Sequence, residues 1–512
     1  MGFAASTSTT CLLFLLLLLL PVSAVAQTNN GRVEVGASLT ANNDASPWLS
    51  PSGDFAFGFH QHQNVGVFLV SIWFDKIPGT TKTLVWYAFE NGSPVLAPAG
   101  SVIQLTGRNG LVLRNPRGEQ LWRSDITMDE VGYAVMNDTG NFAIRSRNSD
   151  LLWQSFDRPT DTLLPTQIVE INGRLFSRRS ENNFSQGRFL LSLQDDGNLV
   201  LSAVNLPTNL VYDGPYYSTS TNDAANYSNS GERLIFNESG EVYVLRKNNR
   251  RFSLATGATL LTPTADFYQR ATLDFDGVFA QYYYPKRSSG EDRKWSTVWS
   301  KPDNICLRVG DKGSGACGFN SICSLNENGR PTCTCPPGFS LLDPDDKYGS
   351  CKQDVELSCR DDGGTAEEDL YDFKVLINTD WPRSDYEQFQ PYNEQDCQTS
   401  CLHDCMCAVA IFREDSCWKK KLPLSNGRED SGVNGKAFIK VAKVDPTPPS
   451  VPDIPDRVEE KKQGTLIITG SILLGTSVFV NLALVAAFCL GVFSIYQKKF
   501  PIILTKLDWK QR

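Results

Sequence analysis

The sequence predicts a mainly β extracellular protein with a disulfide-rich second part and a single transmembrane helix. Three observations carry this prediction: short β-rich runs separated by turn residues, cysteines concentrated between residues 306 and 417, and an apolar segment near each terminus. The chain has 512 residues, which is enough for about three domains of roughly 150 residues each.

Charge and composition exclude several classes of function. The net charge is −8, from 57 acidic and 49 basic residues, whereas proteins that bind nucleic acids usually carry a basic stripe. Only three histidines are present, His60, His62 and His403, which is too few for most histidine-dependent catalysis. We therefore predict no nucleic-acid partner, no cofactor and no metal.

The N-terminal segment has the pattern of a secretory signal peptide. Residues 12–20 are apolar, and Pro21 and the small-residue run Ala24-Val25-Ala26 follow them. This order of an apolar region and an A-x-A cleavage site predicts a signal peptide over residues 1–26 and a mature chain beginning at Gln27. The region before it lacks Lys and Arg. A membrane anchor is the alternative, but the apolar stretch is short for a span.

The β-rich region extends from Gln27 to about Trp299 and contains no cysteine. Runs such as VGVFLVSIWF (65–74) and QYYYP (281–285) lie between Gly, Asn, Asp and Pro residues, which is typical of an all-β fold with hairpin turns. Five N-x-[ST] sequons predict a glycosylated outer surface. They are at Asn91, Asn137, Asn183, Asn226 and Asn237.

Three segments of this region repeat one another weakly: LTGRNGLVL (105–113), MNDTGNFAI (136–144) and LQDDGNLVL (193–201). Each has a turn before an apolar strand, so the repetition predicts short sheets arranged radially.

The third copy carries a recognisable motif. Gln194, Asp196, Asn198 and Val200 match the Q-x-D-x-N-x-V-x-Y site motif, and Ser202 replaces its tyrosine. The segment thereby resembles the bulb-type, mannose-binding β-prism lectins. If these residues follow one strand, residues two apart share a face, so the polar side chains converge on sugar hydroxyls while the valine packs on the sugar ring. A plain hairpin turn is the alternative.

The other two copies have lost the polar set. They carry Thr106, Arg108 and Gly110 in one case, and Asn137, Thr139 and Asn141 in the other.

A second segment, residues 153–165, reads WQSFDRPTDTLLP. It resembles a marker segment of plant S-domain (S-locus glycoprotein-like) receptors. Its two aromatic residues predict a core anchor and its prolines predict turns, so we interpret it as structural and not as a site. A hydrolase using Ser155 and Asp157 would need a histidine base, and the chain has only three histidines that could serve as one.

Of fourteen cysteines, Cys11 lies in the predicted signal peptide and Cys489 in the apolar segment near the C-terminus, which leaves twelve. An even number in an oxidising compartment predicts disulfides. The dense group of Cys401, Cys405 and Cys407 could in principle bind zinc, but secretion makes disulfides the favoured interpretation.

The first six cysteines are Cys306, Cys317, Cys323, Cys333, Cys335 and Cys351, and the run CTCPPGF covers residues 333–339. This order resembles EGF-like modules. Spacing alone allows fifteen pairings, but the resemblance implies Cys306–Cys323, Cys317–Cys333 and Cys335–Cys351. No acidic calcium-site pattern precedes Cys306.

The second six cysteines are Cys359, Cys397, Cys401, Cys405, Cys407 and Cys417. The run over residues 396–428 resembles the PAN (apple-like) module of the same receptors. Cys397 and Cys401 would share one face of a helix and could clamp it onto a sheet. The resemblance implies a role in self-association or ligand contact, and a structural spacer is the alternative.

Residues 444–464 are rich in proline and charge, which predicts a semi-rigid stalk. Residues 465–496 follow without a charged side chain and are long enough to cross a hydrocarbon core of roughly 30 Å. Lys498, Lys499 and further basic residues follow in the tail. With a signal peptide, this charge distribution predicts a type I single-pass protein of the plasma membrane.

The order of these segments resembles the plant G-type lectin S-receptor-like serine/threonine kinases, with the closest likeness to the lectin receptor kinases of grasses. It divides the chain into a signal peptide (1–26), a bulb-type lectin domain (27–153), an S-locus glycoprotein or second lectin-like domain (154–300), an EGF-like segment (301–355), a PAN segment (356–443), a stalk (444–464), a transmembrane segment (465–496) and a cytoplasmic tail (497–512).

In that family a kinase follows the span, whereas residues 497–512 are too few for a domain and carry no nucleotide-loop, VAIK, HRD or DFG motif. We therefore predict no kinase activity for this polypeptide. Three hypotheses remain. One is a receptor-like protein that senses a carbohydrate or peptide and acts through partner receptor kinases, in defence or self/non-self signalling and with self-association as an option. The others are an incomplete form of a kinase and an adhesion protein fixed to wall glycans.

Overall fold

The computed structural model describes residues 30–443, except for 43–45, 63–65, 80–81, 127–129, 207, 213, 256–263, 288–292, 309–312 and 357–369. The predicted signal peptide, stalk, transmembrane segment and tail, together with Cys359, lie outside the described residues. Within the described ranges, no helix is both long and apolar enough to cross a membrane.

The first domain is a β-prism, in which short antiparallel sheets surround one core. Its strands are β1 (Arg32–Glu34), β2 (Ser38–Thr40), β3 (Trp48–Leu49), β4 (Phe55–Gln61), β5 (Val67–Phe74), β6 (Leu84–Tyr87), β7 (Phe89–Glu90), β8 (Ser93–Pro94), β9 (Leu96–Pro98), β10 (Val102–Thr106), β11 (Gly110–Arg114), β12 (Gln120–Arg123), β13 (Val131–Met136), β14 (Phe142–Ser146) and β15 (Leu151–Gln154). The sheet orders are β1-β13-β14-β15, β12-β11-β10-β2 and β3-β4-β5-β6, with β9 paired to β5.

Aromatic side chains from different sheets meet at the centre of this first prism. Phe57 of β4 stacks on Phe142 of β14 with ring centroids 4.3 Å apart, and on Trp48 at 5.5 Å. Both phenylalanines are fully buried, so this contact ties two sheets to one core.

The second domain repeats the architecture. Its strands are β16 (Thr162–Leu163), β17 (Ile168–Glu170), β18 (Arg174–Arg178), β19 (Gln186–Leu193), β20 (Leu199–Asn205), β21 (Leu210–Val211), β22 (Tyr217–Ser218), β23 (Gly231–Phe236), β24 (Val242–Arg246), β25 (Arg251–Ser253), β26 (Phe267–Leu273), β27 (Phe279–Pro285) and β28 (Ser296–Lys301). The sheet orders are β16-β26-β27-β28, β17-β23-β24-β25 and β18-β19-β20-β21, with β22 on β20. Leu191, Leu201, Leu234 and Phe279 fill its core.

The two prisms pack directly on each other. Tyr268 and Tyr284, from the second prism, belong to the core cluster of the first. The Tyr268 hydroxyl donates to Asp54 at 3.0 Å, and the Trp86 indole N–H donates to the Arg158 carbonyl at 2.9 Å. These buried and polar contacts fix the space between the prisms.

The cysteine-rich part adds β29 (Ile322–Leu325), β30 (Pro331–Thr334), β31 (Phe339–Leu341), β32 (Cys351–Gln353), β33 (Tyr371–Ile377), β34 (Thr379–Asp380), β35 (Asp385–Phe389), helix α1 (Glu394–Leu402), β36 (Val409–Arg413), β37 (Ser416–Lys420), β38 (Arg428–Glu429) and β39 (Lys436–Ala442). The main sheet has the order β33-β39-β36-β37-β35, and a second sheet, β30-β29-β38-β34, joins the two cysteine-rich segments. Short 3₁₀ turns cover Ser155–Asp157, Tyr227–Asn229, Thr264–Asp266, Ile305–Leu307 and Ser431–Val433.

The disulfides of the first cysteine-rich segment are Cys306–Cys323, Cys317–Cys333 and Cys335–Cys351. These are the pairs that the EGF-like resemblance implies. In the second segment, Cys397–Cys417 links α1 to β37, and Cys401–Cys407 links the end of α1 to the loop after it. Cys405 is also disulfide-bonded.

Candidate functional site

The motif residues that the sequence analysis identified lie at a hairpin. Residues 194–198 form the tight turn between β19 and β20, in which the Gln194 N–H donates to the Asn198 carbonyl at 2.9 Å and the Gly197 N–H donates to the Gln194 carbonyl at 3.0 Å. Gly197 has φ +86°, and a Cβ there would lie 2.4 Å from the Gly231 carbonyl oxygen. The expected alternation along one strand therefore does not apply to Gln194 and Asp196, because they belong to the turn.

Two of the four motif residues point away from solvent. The Asn198 side chain is 9% exposed and Val200 is 1% exposed. The Asn198 amide donates to the Ser218 hydroxyl at 2.9 Å, and its oxygen accepts from the Thr221 N–H at 3.3 Å. Asn198 therefore anchors the chain after β22 through both its amide nitrogen and its amide oxygen.

The other two motif residues are exposed. Asp196 accepts from the Asn222 side chain at 3.0 Å and from the Asn198 N–H at 2.9 Å. The hairpin thus brings Gln194 and Asp196 to the surface, and it does not present Asn198 or Val200 beside them.

The first prism repeats this anchoring. In the turn 137–141, the Asn141 side-chain oxygen accepts from Ser155 at 3.2 Å, and the Phe142 N–H donates to Ser155 at 3.0 Å. Thr219 takes the place of Ser155 in the second prism, where it accepts from the Leu199 N–H at 3.2 Å. The asparagine of both turns is thus a structural residue, as is Ser155.

Two further copies of the turn lie at 237–241 and 274–278, where the hydrogen bonds from Asn237 N to Glu241 O and from Asp274 N to Val278 O are both 3.0 Å long. The sequence comparison missed these copies because the residues around their glycines, Gly240 and Gly277, differ from the motif. Their glycines have φ of 84° and 88°, which is the shared physical signal.

The copy at 274–278 is covered by the first cysteine-rich segment. Arg330 donates from Nε to Asp276 at 2.8 Å, from Nη2 to Asp274 at 3.0 Å, and from Nη1 to the Tyr282 hydroxyl at 3.0 Å. Burial raises the pKa of Asp276 to about 6, against the opposing effect of Arg330. The carboxylates of this turn are therefore engaged by the protein itself.

A cavity of about 620 Å³ lies between the two prisms. The first prism contributes residues 60–62 and 82–84. The second prism contributes some of the residues between 161 and 184 and between 270 and 295. Phe184, Phe275 and Trp295 supply aromatic surface, and charged side chains from both domains also line it. Its volume falls within the range of small-molecule sites, which prefer domain interfaces.

Asp161 and Arg178 form a buried pair in this cavity, with side chains 2% and 18% exposed. Asp161 also accepts from the Thr162 hydroxyl at 2.9 Å, and Arg178 donates to the Leu84 carbonyl of the first prism at 3.2 Å. Burial by itself lowers the pKa of Arg178, but Asp161 raises it and the net shift is upward.

Trp295 bridges the prisms on the same cavity wall. Its indole N–H donates to the Thr83 hydroxyl at 3.0 Å, and the guanidinium of Arg270 lies 4.8 Å from its ring centroid. His60 and His62 lie on the first-prism wall, and burial lowers the pKa of both imidazoles. The cavity is therefore bounded by side chains whose positions are set from both domains.

Within the described part of the chain, no group of three or more His, Cys, Asp or Glu side chains is placed to hold a metal ion. What the cavity can do is bind: it offers aromatic faces, hydrogen-bond groups and fixed charges.

Comparison with known proteins gives the family. The protein-family model described as D-mannose binding lectin matches residues 83–182, and the S-locus glycoprotein domain model matches residues 220–342. The G-type lectin S-receptor-like serine/threonine-protein kinase LECRK4 of Oryza sativa subsp. indica is 40% identical over 494 residues, which cover 95% of this chain and 60% of the relative. The corresponding protein RLK1 of Arabidopsis thaliana is 43% identical over 471 residues, covering 88% of this chain and 54% of the relative.

The chain belongs to the G-type lectin S-receptor-like kinase family. It spans about 60% of the length of the rice relative.

Two solved lectins also match locally. A monomeric mannose-binding lectin from Gastrodia elata is 19% identical and covers 24% of this chain and 96% of its own, with a TM-score of 0.18. The two-domain, fetuin-binding Scilla campanulata agglutinin is 16% identical and covers 51% of this chain and 94% of its own, with a TM-score of 0.19. At such scores the fold assignment rests on the strand pairing described above.

The segment 153–165, the S-domain marker of the sequence analysis, has a wider role than the structural one expected. Ser155 anchors the first prism as described, which agrees with the structural interpretation. Asp161, however, lines the cavity and holds Arg178. The available signal was the carboxylate of Asp161 within the otherwise apolar and hydroxylic run PTDTLLP (159–165), because a carboxylate rarely becomes buried without a partner.

The five sequons differ in exposure. Asn91 and Asn226 are exposed, whereas Asn137, Asn183 and Asn237 are partly buried. The Asn137 side-chain nitrogen, the atom to which a glycan would bond, donates to the Asn141 carbonyl at 3.0 Å. Asn183 lies beside Phe184 and therefore next to the cavity.

Proposed function

We propose that this chain is a cell-surface, receptor-like protein whose lectin-type ectodomain binds an extracellular carbohydrate in the cavity between its two prisms. The observation that carries the proposal is the cavity itself, with about 620 Å³ of space and aromatic walls formed by Phe184, Phe275 and Trp295. Aromatic faces pack on the apolar faces of sugars, and the nearby polar groups can orient the hydroxyls. Family membership supports a lectin-type role.

The motif hairpin is the second candidate for sugar contact. The exposure of Gln194 and Asp196 supports it. Because Asn198 and Val200 point inward, only two of the four motif side chains can contact a sugar there. The predicted glycans at Asn91, Asn137, Asn183, Asn226 and Asn237 and the predicted type I orientation in the plasma membrane belong to the same proposal.

We further propose that signalling requires a partner receptor kinase, with self-association as the alternative. Ectodomain contacts would bring a kinase of the same family into, or out of, a signalling pair when the ligand binds. Co-precipitation of the full chain with such kinases, in the presence and absence of ligand, tests this step. Absence of co-precipitation in both states would contradict it, and unchanged co-precipitation would favour adhesion to wall glycans.

A blocking experiment locates the sugar site. The full chain, solubilised in detergent, is screened on a glycan array, and hits are measured by calorimetry. Gln61→Trp adds an indole to an exposed position on the cavity wall and should abolish binding. Leu151→Trp, at a position 45% exposed on β15, is the matched control and should bind normally. Gln194→Ala tests the hairpin.

If Gln194→Ala loses binding while Gln61→Trp retains it, the hairpin is the site and the cavity assignment is wrong. If no glycan binds the wild-type chain, the carbohydrate proposal itself fails. The search would then move to peptide ligands.

A further inference from the structure

We infer that the cavity between the prisms selects a carboxylate-bearing sugar, a hexuronic acid, and that Arg270 binds the carboxylate. This inference rests on the proposed function and names the ligand class for the same site. Its basis is the set of charged side chains that line the cavity. Some of these side chains already have an ion-pair partner among the described residues, and Arg270 does not.

Three cationic side chains line the cavity: Lys82, Arg178 and Arg270. The Lys82 ammonium binds Asp75 at 3.2 Å, and Arg178 is paired with Asp161. Among the described residues, Arg270 forms no ion pair with any carboxylate. It is therefore the cation that remains available to an anionic ligand.

Arg270 is held in place by stacking and by a neutral hydroxyl. Its guanidinium lies 4.5 Å from the Tyr282 ring centroid and 4.8 Å from that of Trp295, and its Nη1 donates to the Thr272 hydroxyl at 2.7 Å. Its Nε–H is buried and has no acceptor among the described residues. Burial lowers the pKa of Arg270. A buried cation in this condition gains more from an incoming anion than an exposed one does.

The charges of Asp274 and Asp161 act to raise the pKa of Arg270, but the hydrogen bonds of both carboxylates are made with other donors. Asp161 already accepts from Arg178 and Thr162. Asp274 accepts from the Tyr282 hydroxyl and from Arg330. Glu181 is exposed at the rim. The groups near Arg270 that can still form hydrogen bonds are therefore N–H donors. They match a ligand group that only accepts hydrogen bonds, such as a carboxylate.

The ring next to that carboxylate is expected to be a sugar. Trp295 is fixed by its hydrogen bond to Thr83, and the Arg270 guanidinium lies over its ring, so the two groups are preorganised together. Phe184 and Phe275 supply further apolar surface in the same cavity. A hexuronic acid places a carboxylate directly on a pyranose ring, so one residue can meet both the guanidinium and an aromatic face.

The test compares an acid with its own ester. Trigalacturonic acid and its fully methyl-esterified form are titrated into the detergent-solubilised full chain by calorimetry. The wild type should bind the acid about tenfold more tightly or better, as expected for a charge-assisted hydrogen bond. Arg270→Gln should bring the two affinities within about twofold of each other, and Arg270→Lys should keep part of the preference. Arg251→Gln, on β25 outside the cavity, is the control.

Equal binding of acid and ester by the wild type would overturn the inference, and this comparison does not depend on how well a variant folds. A preference that survives in Arg270→Gln would also overturn it. If a neutral sugar binds and Gln61→Trp blocks it, the cavity proposal stands and only the uronate assignment fails. Binding of a triglutamate peptide, without binding of trigalacturonate, would show that the anion is a peptide and would contradict the inference.

Discussion

Arg330 is a side chain that links the first cysteine-rich segment to the second prism. Its guanidinium donates to two carboxylates of the β26–β27 turn, with Asp276 accepting from Nε at 2.8 Å and from Nη2 at 2.5 Å. Arg330→Met keeps most of the aliphatic length and removes the charge. It leaves the Asp276 carboxylate, whose side chain is 4% exposed, with the Val278 N–H at 3.2 Å as its remaining hydrogen bond among those described.

The expected loss of stability in Arg330→Met follows from the burial of the ion pair. Breaking a buried ion pair by removing one partner costs about 3–5 kcal/mol. The Arg330 and Asp274 side chains are 22% and 19% exposed, so water offsets part of the loss, and we expect a decrease of about 3 kcal/mol in the free energy of unfolding. The assay is guanidinium unfolding of the full chain followed by tryptophan fluorescence, with limited proteolysis of residues 301–356 as a local readout.

The matched control is Arg250→Met, because Arg250 is exposed on the same prism and its loss should change stability little. The double variant Arg330→Met/Asp276→Asn should recover about 2 kcal/mol of the loss, since the buried charge is then also removed. A decrease below about 1 kcal/mol in Arg330→Met, within the range of an exposed pair, would refute this account of the interface.

Further predictions concern pH, the motif hairpin and the second cysteine-rich segment. Because the folded-state pKa of Asp276 is raised from 3.8 to about 6, folding takes up a proton in this interval. The group's stabilising contribution is therefore full below about pH 4 and is lost as the pH rises through 6. Asp276→Asn should remove this part of the pH dependence in unfolding titrations from pH 4 to 7, and an unaltered profile would disprove it. Asn198→Ala should lower stability by about 2 kcal/mol without weakening sugar binding in calorimetry, and loss of binding in a stable variant would restore the hairpin as the site. Lys440→Met should cost about 1–2 kcal/mol in denaturant unfolding, because its buried ammonium donates to the Leu402 carbonyl at the end of α1 at 2.8 Å; an unchanged midpoint would argue against this cap. Replacing Cys397 and Cys417 by serine opens a bridge of sequence separation 20 and should cost about 3 kcal/mol by the chain-entropy relation, and retention of full stability would exclude that contribution.

Much of the fold was accessible from local patterns. The hairpin segments 105–113, 136–144 and 193–201 were predicted as turns before apolar strands, and each forms a β-hairpin. Tight turns are governed by a few adjacent residues, above all by a glycine at positive φ, so they can be read from a short stretch of sequence. The more divergent copies at 237–241 and 274–278 were missed because only the glycine and the hydrogen-bond pattern survive in them.

The candidate site was accessible only in part. The motif match drew attention to Asn198, but a motif does not say whether an amide faces solvent or the neighbouring strand. Asn198 turned inward because the chain after β22 returns to the hairpin and offers the Thr221 N–H. Asp161 was placed in a structural segment, and its second role depends on Arg178 and on Leu84 of the other prism.

The sequence by itself determined the family, the β-rich character and the use of cysteine, because these depend on composition and on residues close together in the chain. The tertiary structure decided where a ligand could be held. Thr83 and Trp295 meet at the cavity wall although 212 positions separate them in the chain, and Arg330 reaches Asp276 across 54 positions. Strand periodicity shows which side chains share a face of one sheet, but it does not show which faces of two domains pack together. The cavity, with Arg270 in its wall, follows from that packing.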